Sequence, residues 1–484
     1  MQLFRAVPSF SLLALLALSR PGLAAPTSIE FHGLTYVNHG LVGVGRLPAN
    51  LKDKFGETFG SFSAMTFRPG TWRRAPDGSY TGTLIGQPDR GYNLGGATNY
   101  TPRFNELSLR FAPAPDGAAT QHQVELTLTD TVRYTETDGT PLTSLDPTPT
   151  GSGTRPGFPP LPVAHNRRIS LDAEGIVINA DGTHWVGDEY GPYLYQFSAK
   201  GILLAAVRPP EAFIPKRKGR DSFSSNSPGK HQPAPTPADP KTGRQNNQGI
   251  EGLTLSPDGR TLFALLQCAT RQDGGDGNTS PRQHTRLLAY DVSATTPKLT
   301  GEYVLTLPTH PDGAAPRVAG QSEICALSST RLLVLARDSA GHGGKNPASV
   351  YRQILLYDLA GATNLAGTPY DSPATPVAPH GVLAKGIVPA TRAEFIDLND
   401  AAQLAKFGLH NGPGDDANNL SEKWEALALV PALDPAAPND WFLFVGNDND
   451  FITQSGFQDG TAYKDTSGVE NDTMVLVYRL TLPK

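Results

Sequence analysis

The 484-residue chain has only two cysteines, Cys268 and Cys325. A disulfide framework is therefore excluded as its main source of stability, and a chain of this length can bury a core without cross-links. The two residues can form one bridge in an oxidising compartment or stay as buried thiols. No apolar run is long enough to span a bilayer, and the net charge of −5 does not indicate a nucleic-acid partner.

Several catalytic signatures are also missing. The chain has no G-x-S-x-G elbow and no H-E-x-x-H helix, and its eleven histidines do not cluster at metal-binding spacing. The glycine-rich segment 341–345 contains a lysine but lacks the spacing of a phosphate-binding loop. Nucleophilic serine catalysis and zinc hydrolysis therefore have no support in the sequence.

The N-terminus has the form of a secretory signal peptide. Arg5 gives a short basic start, an apolar stretch follows at 10–18, and Gly22 and Ala24 are small residues suited to signal peptidase. We predict a signal peptide at 1–24, one domain at 25–484, and a secreted, extracellular protein without a membrane span. Four Asn-x-Ser/Thr triplets agree with export and would mark surface loops if glycosylated: Asn99, Asn278, Asn419 and Asn471.

Fifty glycines and forty-three prolines favour a fold with many turns, and an internal repeat indicates which fold. In each copy a glutamate opens a short apolar strand, a turn follows, and a second apolar strand ends in acidic or polar residues. A degenerate early copy has Ser63 in the glutamate position. The clear copies begin at four glutamates: Glu174, Glu251, Glu323 and Glu425.

Two further strand-like runs follow most of these hairpins, and four antiparallel strands per repeat are typical of a propeller blade. We therefore predict an all-β protein, a β-propeller with five blades, closed by an N-terminal strand at 28–37. A sixth blade stays open because 136–170 and 389–422 are unassigned. The paired runs are 107–111 with 123–134, 193–197 with 202–207, 286–292 with 301–307, and 352–359 with 381–388.

Two long loops are expected at 144–165 and 208–247. Loops of this length are usually functional or disordered. The second contains a basic run, Lys216, Arg217, Lys218 and Arg220, which fits either a solvated linker or processing site, or a cationic flap over an anionic substrate.

The repeat also predicts where its acidic residues meet. The strands of a hairpin are antiparallel, so the start of the first and the end of the second lie at the same end of the blade. Crowded carboxylates repel one another, and Ca²⁺ offsets this best because it accepts many carboxylate oxygens. Capping of backbone N–H groups or salt bridges between blades is the structural alternative. The residues expected to bind metal are Asp89, Asp188, Glu189, Asp338, Asp448 and Asp450.

Cationic and polar side chains recur beside these acids, as a phosphate or carboxylate substrate would require. We expect the four repeat glutamates to act in catalysis with Arg337 and Lys423. The residues expected to bind substrate are Arg90, Arg244, Asn247 and Tyr190.

Six short motifs stand at the repeat hairpins: Asp172-Ala173-Glu174-Gly175, Gly187-Asp188-Glu189-Tyr190-Gly191-Pro192, Asn247-Gln248-Gly249-Ile250-Glu251-Gly252, Ser256-Pro257-Asp258-Gly259, Arg337-Asp338 and Asn447-Asp448-Asn449-Asp450-Phe451. Together they resemble the phytase-like family, which is described as having esterase-like activity of phytase. The resemblance runs from about Gly60 to the C-terminus and implies a propeller and a phosphoric-ester hydrolase, with inositol phosphates among its substrates. The chain departs from the family at Ala336, where glutamate is frequent, and in the long loop 208–247.

These observations predict a secreted, monomeric, Ca²⁺-dependent phosphoesterase that acts on a small anionic substrate. Two alternatives stay open. One is a calcium-dependent lactonase or ester hydrolase, and the other is a non-catalytic binding module whose metal only stabilises the ring.

Overall fold

The computed structural model describes residues 26–149, 152–230, 232–274, 282–313 and 315–483. The predicted signal peptide and the triplet at Asn278 lie outside the described residues. The described chain forms five antiparallel sheets arranged as the blades of a propeller, which confirms the predicted fold.

The chain begins with β1 (Thr27–Phe31) and β2 (Leu34–Leu47), which belong to the last blade. Blade 1 contains β3 (Ala64–Phe67), β4 (Arg73–Arg74), β5 (Tyr80–Gln87), β6 (Arg103–Phe111) and β7 (Val124–Arg133). Blade 2 contains β8 (Ala173–Ile178), β9 (His184–Asp188), β10 (Leu194–Phe197) and β11 (Leu203–Val207). A short ribbon follows, formed by β12 (Lys216–Arg217) and β13 (Arg220–Asp221).

Blade 3 contains β14 (Ile250–Leu255), β15 (Thr261–Leu266), β16 (His284–Asp291) and β17 (Lys298–Thr306), with the helical turn α1 (Arg271–Gly274). A ribbon of β18 (Thr309–His310) and β19 (Arg317–Val318) leads to blade 4. Blade 4 contains β20 (Gly320–Ala326), β21 (Arg331–Arg337), β22 (Arg352–Asp358) and β23 (Thr391–Asp397). Short 3₁₀ turns lie at Pro369–Asp371 and Pro379–Gly381, and α2 spans Ala401–Ala405.

Blade 5 contains β24 (Lys423–Pro431), β25 (Asp440–Asp448) and, after a ribbon of β26 (Gly456–Gln458) and β27 (Thr461–Tyr463), β28 (Thr473–Thr481). The N-terminal β2 pairs with β28 and completes this blade, so the ends of the chain close the ring. The closing strand is β2, and the predicted stretch 28–37 is divided between the start of β2 and β1, which pairs with β2 as a fifth strand outside it.

The five innermost strands, β3, β8, β14, β20 and β24, contact one another in sequence and surround the axis. Each pair of neighbouring blades shares one apolar cluster, because alternate residues of a strand point to opposite faces. In β25, Phe442 and Phe444 pack toward blade 1, whereas Leu443 and Val445 pack toward blade 4. Burial between blades therefore holds the ring and fixes which strand ends share a mouth.

One strand prediction was wrong. The fourth strand of blade 4 is β23, where Ile396 pairs with Ile354 of β22. The stretch 381–388 instead packs as a loop, with Ile387 in a small cluster beside Val304 and Leu365. The sixth blade is absent from the described residues, because 389–422 supplies β23 and α2, and the described part of 136–170 forms only isolated bridges.

The two long loops pack against each other. Asp146 accepts hydrogen bonds from Ser224 Oγ and Ser225 N, at 2.5 and 2.6 Å. The buried guanidinium of Arg217 donates to carbonyl oxygens that include those of Pro237 and Ala238. Arg217 is therefore a structural anchor, not part of a solvated linker or a cationic flap.

The two cysteines do not form a disulfide, and two of the Asn-x-Ser/Thr triplets are buried. Cys268 and Cys325 are both free thiols. Asn419 and Asn471 are buried, and Asn419 Nδ2 donates to the carbonyl of Pro347 at 2.8 Å, so these two do not mark surface loops. Among the described residues, no helix combines the length and apolar character needed to cross a membrane.

Candidate metal and active site

A β-bulge lies near the start of the inner strand in four blades. In blade 3, Glu251 is the extra residue between the pairs Ile250–Leu266 and Gly252–Leu265. Such bulges bend a strand and re-aim its side chains, and they are frequent beside functional sites.

The same insertion occurs in blades 5 and 2. Glu425 is the extra residue between Trp424 and Ala426 in blade 5. In blade 2, Glu174 and Gly175 together face one residue of β9. The bulges therefore place three of the four repeat glutamates in equivalent positions at one mouth of the channel.

Blade 4 differs by one residue. Its bulge is Ser322, and Glu323 has returned to the regular ladder opposite Leu335. The Glu323 carboxylate accepts the N–H groups of Leu253, on the neighbouring inner strand, and Ile324, at 2.8 and 2.9 Å. Ser322, not Glu323, is thus the equivalent of the other glutamates, and the predicted alignment of Glu323 was wrong.

Three aspartates form a first group of carboxylates, called here the aspartate trio: Asp89, Asp448 and Asp450. One carboxylate oxygen from each lies within 4.8 Å of the others. Lys423 Nζ lies 2.6 Å from Asp450 Oδ1 and 3.3 Å from Asp448 Oδ2. Burial alone would raise the pKa of Asp448, but the charge of Lys423 and hydrogen bonds to the carboxylate together lower that pKa. Burial and the charge of Asp448 raise the pKa of Asp89 well above its usual range.

A second group, the Asp172 trio, contains Asp172, Glu174 and Glu189, again with oxygens within 4.8 Å of one another. Arg90 Nη1 lies 3.2 Å from Asp172 Oδ2, while Asp172 Oδ1 is buried and has no hydrogen-bond partner among the described residues. Burial raises the pKa of Asp172 to about 7 and also raises that of Glu189. The trio therefore holds one buried oxygen, Asp172 Oδ1, that its neighbours leave unsatisfied.

Two further glutamates lie next to the trios: Glu251 is close enough to Glu189, and Glu425 to Asp448, for their charges to interact. Glu251 Oε2 is buried and without a partner in the described chain, and burial together with the charge of Glu189 raises the Glu251 pKa well above its usual range. Glu425 forms a buried ion pair with Arg337, and burial raises its pKa to about 7. Ser63 hydrogen-bonds to Glu174 and lies 3.4 Å from Glu425 Oε2, so it bridges blades 2 and 5.

Two predicted metal ligands, Asp188 and Asp338, lie outside both trios and accept N–H groups of nearby turns. The Asp188 carboxylate accepts the N–H groups of Tyr190 and Gly191 at 2.9 and 2.7 Å. Asp338 accepts those of Val350 and Tyr351 at 2.6 and 3.0 Å. Both shape the chain beyond their strands, so neither belongs to the two trios.

Three of the four predicted substrate-binding residues lie outside the two trios. Arg244 is fully buried and donates to backbone carbonyls, including that of Tyr190 at 2.9 Å. The Tyr190 hydroxyl is buried and donates to the carbonyl of Ser144 at 2.7 Å. Asn247 is an exposed turn residue with a φ of 50°. Of the four, only Arg90 forms an ion pair with a member of a trio, Asp172.

Sequence reasoning missed three residues at the site. Asp172 stands two residues before Glu174, inside a motif that was recognised, yet it was not assigned to the site. Ser322 was hidden by the shifted alignment. Glu422 precedes Lys423, and burial with the charge of Asp450 raises its pKa to about 7.

Together these groups form what we call the carboxylate ring. Its acids are Asp89, Asp172, Glu174, Glu189, Glu251, Glu425, Asp448 and Asp450, and its cations are Arg90, Arg337 and Lys423. The ring thus has eight acids and three bases. Its acidic side chains offer only oxygen, which suits hard cations such as Ca²⁺. The side chains of Lys423 and Asp450 are 27% and 29% exposed, so solvent reaches the ring from their side.

Solved structures of similar overall arrangement are distant. A gluconolactonase from Xanthomonas campestris is 9% identical with a TM-score of 0.28, covering 96% of each chain. A luciferin-regenerating enzyme is 10% identical with a TM-score of 0.25, covering 90% of this chain and 95% of its own. Similarity at this level carries no functional argument.

Sequence relatives are much closer. A protein of Arthroderma benhamiae, described as an uncharacterized secreted protein, is 43% identical over 455 residues, covering 87% of this chain and 88% of the relative. Residues 57–451 match the family described as "Phytase-like: Esterase-like activity of phytase", as the sequence motifs predicted. The chain therefore belongs to the phytase-like family.

Proposed function

We propose that the protein is a secreted, calcium-dependent phosphoric-ester hydrolase that acts at the carboxylate ring. The observation that carries this proposal is the pair of neighbouring carboxylate trios, each with oxygens within 4.8 Å and each accompanied by a cationic side chain. Family membership supports ester hydrolysis, and the relative described as secreted supports export.

The unsatisfied oxygens favour a bound cation. Asp172 Oδ1 and Glu251 Oε2 are buried acceptors without partners in the described chain, and such atoms are costly to leave unpaired. A divalent cation would satisfy them and offset the repulsion among the acids. When bound, it would supply a Lewis acid that polarises a phosphoryl oxygen and activates water.

We assign different roles to the three cations of the ring: two would bind phosphate and one positions a carboxylate. Lys423 and Arg90 are placed to neutralise charge on a phosphate brought to the trios, since charge-assisted hydrogen bonds are the strongest available. Arg337 is held by Glu425 and by Ser322 Oγ, at 3.1 Å from its Nε, so we assign it a positioning role for Glu425.

The test is phosphate release from p-nitrophenyl phosphate and from phytate, with calcium or with EDTA. We expect release that requires calcium and falls at least about 100-fold in Asp450→Asn and Glu189→Gln, because each removes one charged ligand. Glu125→Gln, an exposed acid on β7, is the matched control and should keep full activity. Calcium titration of each variant separates lost binding from lost chemistry.

Other outcomes would replace the proposal. Lactone turnover without phosphate release would make the protein a calcium-dependent lactonase. If calcium raises the melting temperature while phosphatase, esterase and lactonase assays stay blank, the metal has a structural role only. Phosphate release that is indifferent to EDTA would exclude the calcium requirement.

A further inference from the structure

A cleft of about 600 Å³ lies between the segment 92–99 and the β26–β27 ribbon. Its lining is mostly apolar, and its volume is that of a small-molecule site. The apolar side chains include Tyr92, Leu94, Leu145 and Tyr463.

The cleft is joined to the aspartate trio through both of its tyrosines. Tyr92 follows Asp89 by three residues, so their Cα atoms are at most about 11 Å apart. The Tyr463 hydroxyl donates to the carbonyl of Phe451, the residue after Asp450, at 2.9 Å. The two tyrosine rings stack in parallel with centroids 3.9 Å apart. Short stretches of backbone therefore connect the tyrosine wall of the cleft to the aspartate trio.

The aromatic wall is held from behind by Gln458 of β26. Its side-chain oxygen accepts the N–H of Tyr92 at 2.8 Å, and its amide nitrogen donates to the carbonyl of Tyr92 and to Thr98 Oγ1, at 3.0 and 2.7 Å. Because this amide is buried and fully engaged, the position of Tyr92 is fixed before any ligand binds.

The opposite wall depends on close contact between two loops. Gly96 and Gly229 both have positive φ, and a Cβ on Gly96 would come within 2.5 Å of the Gly229 nitrogen. Ala97 N donates to the carbonyl of Ser227 at 3.0 Å and ties the loops together. The cleft is thus a built feature of the fold and not a gap between unattached loops.

Charge around the ring limits what can bind there. Its eight acids outnumber its three bases, and each base is already paired with a ring acid. Calcium at the trios would offset this charge for one phosphoryl group, but the cleft lining includes only one lysine, Lys230, and no arginine with which further phosphates could pair. A monoester would bring one phosphoryl group and place its organic part elsewhere. The mostly apolar cleft offers that place.

We infer that the cleft binds the organic part of the substrate, and that the substrate is a monoester of a bulky, largely apolar or aromatic alcohol rather than a polyphosphorylated polyol. This inference rests on the proposed function for the position of the reacting group. The stacked tyrosines favour a flat ring, because aromatic rings pack well on such a surface.

Kinetics provide the first test. We compare kcat/KM for 1-naphthyl phosphate, glycerol 3-phosphate and phytate in the wild type, Leu94→Asp and Val382→Asp, with calcium present. Leu94 and Val382 are both exposed aliphatic residues, 59% and 70%, and only Leu94 lines the cleft, so neither change should prevent folding. The wild type should prefer 1-naphthyl phosphate, and Leu94→Asp should lower the naphthyl-to-glycerol ratio about tenfold, whereas Val382→Asp should not.

Binding of 1-naphthol alone, measured by calorimetry on the full chain, provides a second test that does not need catalysis. Binding that is weakened by Leu94→Asp and kept in Val382→Asp supports the cleft even if every phosphatase assay fails, which would overturn only the proposed function. Absence of 1-naphthol binding overturns the inference. Active enzyme with phytate as the best substrate, or a ratio unchanged by Leu94→Asp, also overturns it.

Discussion

The ammonium group of Lys423 lies 2.6 Å from Oδ1 of Asp450 and neutralises the aspartate trio at its most exposed side. Lys423 begins β24 and pairs in the ladder with Asp448 at the end of β25, so one hairpin supplies both partners. Burial alone would lower the pKa of Lys423, but Asp450 and Asp448 raise it well above its usual range. The lysine therefore acts as a built-in cation at one trio.

Replacing this lysine should make the fold depend more on calcium. Lys423→Met leaves three crowded aspartates without their cation. In EDTA it should lower the free energy of unfolding by about 3 kcal/mol. Added calcium should recover most of the lost melting temperature, as measured by thermal unfolding with and without the metal. Lys54→Met, which removes an exposed ion pair with Asp130, should cost less than about 1 kcal/mol. Equal losses in the two variants would contradict this role of Lys423.

Glu323 and Glu251 should behave differently although both open a repeat. Glu323→Ala leaves the buried N–H groups of Leu253 and Ile324 without an acceptor and should cost about 1–3 kcal/mol, with calcium affinity unchanged. Glu251→Gln should weaken calcium binding about tenfold or more. Urea unfolding and calcium calorimetry separate the two effects. A similar loss of calcium binding in both variants would restore the equivalence of the two residues.

The buried pair of Arg337 and Glu425 should be strongly coupled. Arg337→Met leaves the Glu425 carboxylate buried without its partner and should cost about 3–5 kcal/mol, whereas Arg337→Met combined with Glu425→Leu should cost less than the sum of the single changes. Urea unfolding of the four proteins gives the coupling energy. The exposed pair of Arg317 and Asp312 serves as the control cycle, and a buried pair with no more coupling than this one would contradict the prediction.

Acid should destabilise the protein in part through His184. This buried residue packs among Phe104, Tyr134 and Phe197, and burial lowers its pKa from 6.5 to about 4. Between these values the unfolded chain binds a proton that the folded chain excludes. Stability should therefore be full above pH 6.5 and fall by up to about 3 kcal/mol as pH drops toward 4.

The measurement is unfolding free energy across this pH range in the wild type and in His184→Phe. The variant should lose this component, while carboxylates shared by both proteins contribute equally and cancel. The exposed residue His122, changed to Gln, is the control. An identical pH dependence in His184→Phe and the wild type would exclude the role of His184.

The amino-acid sequence was enough to predict the propeller architecture and the mouth of the channel at which the acids gather. Alternating apolar residues and Asp-Gly turns are local signals, and each hairpin brings its own strand ends together without help from the rest of the chain. That is why Glu174, Glu189 and Asp448 could be assigned to one mouth. The repeat also predicted closure by the N-terminus, because the last blade lacked a strand.

Which acids belong to the carboxylate ring depends on packing between blades and could not be predicted from the sequence. A bulge moves a side chain by one position without changing the residue pattern, so Glu323 and Ser322 could not be told apart in sequence. Both oxygens of Asp188, and Oδ2 of Asp338, accept N–H groups whose positions depend on packing. Arg244 finds its carbonyl acceptors on loops brought to it by the fold.

The difference has one physical reason. Strand formation depends on neighbours a few residues away, whereas the partner of a buried charge is set by whichever groups the closed ring brings within about 3–4 Å of it. Arg337 and Glu425 come from adjacent blades, and Arg90 and Asp172 likewise. The location of the carboxylate ring could therefore be predicted from the sequence, whereas the residues that form it could be identified only in the packed structure.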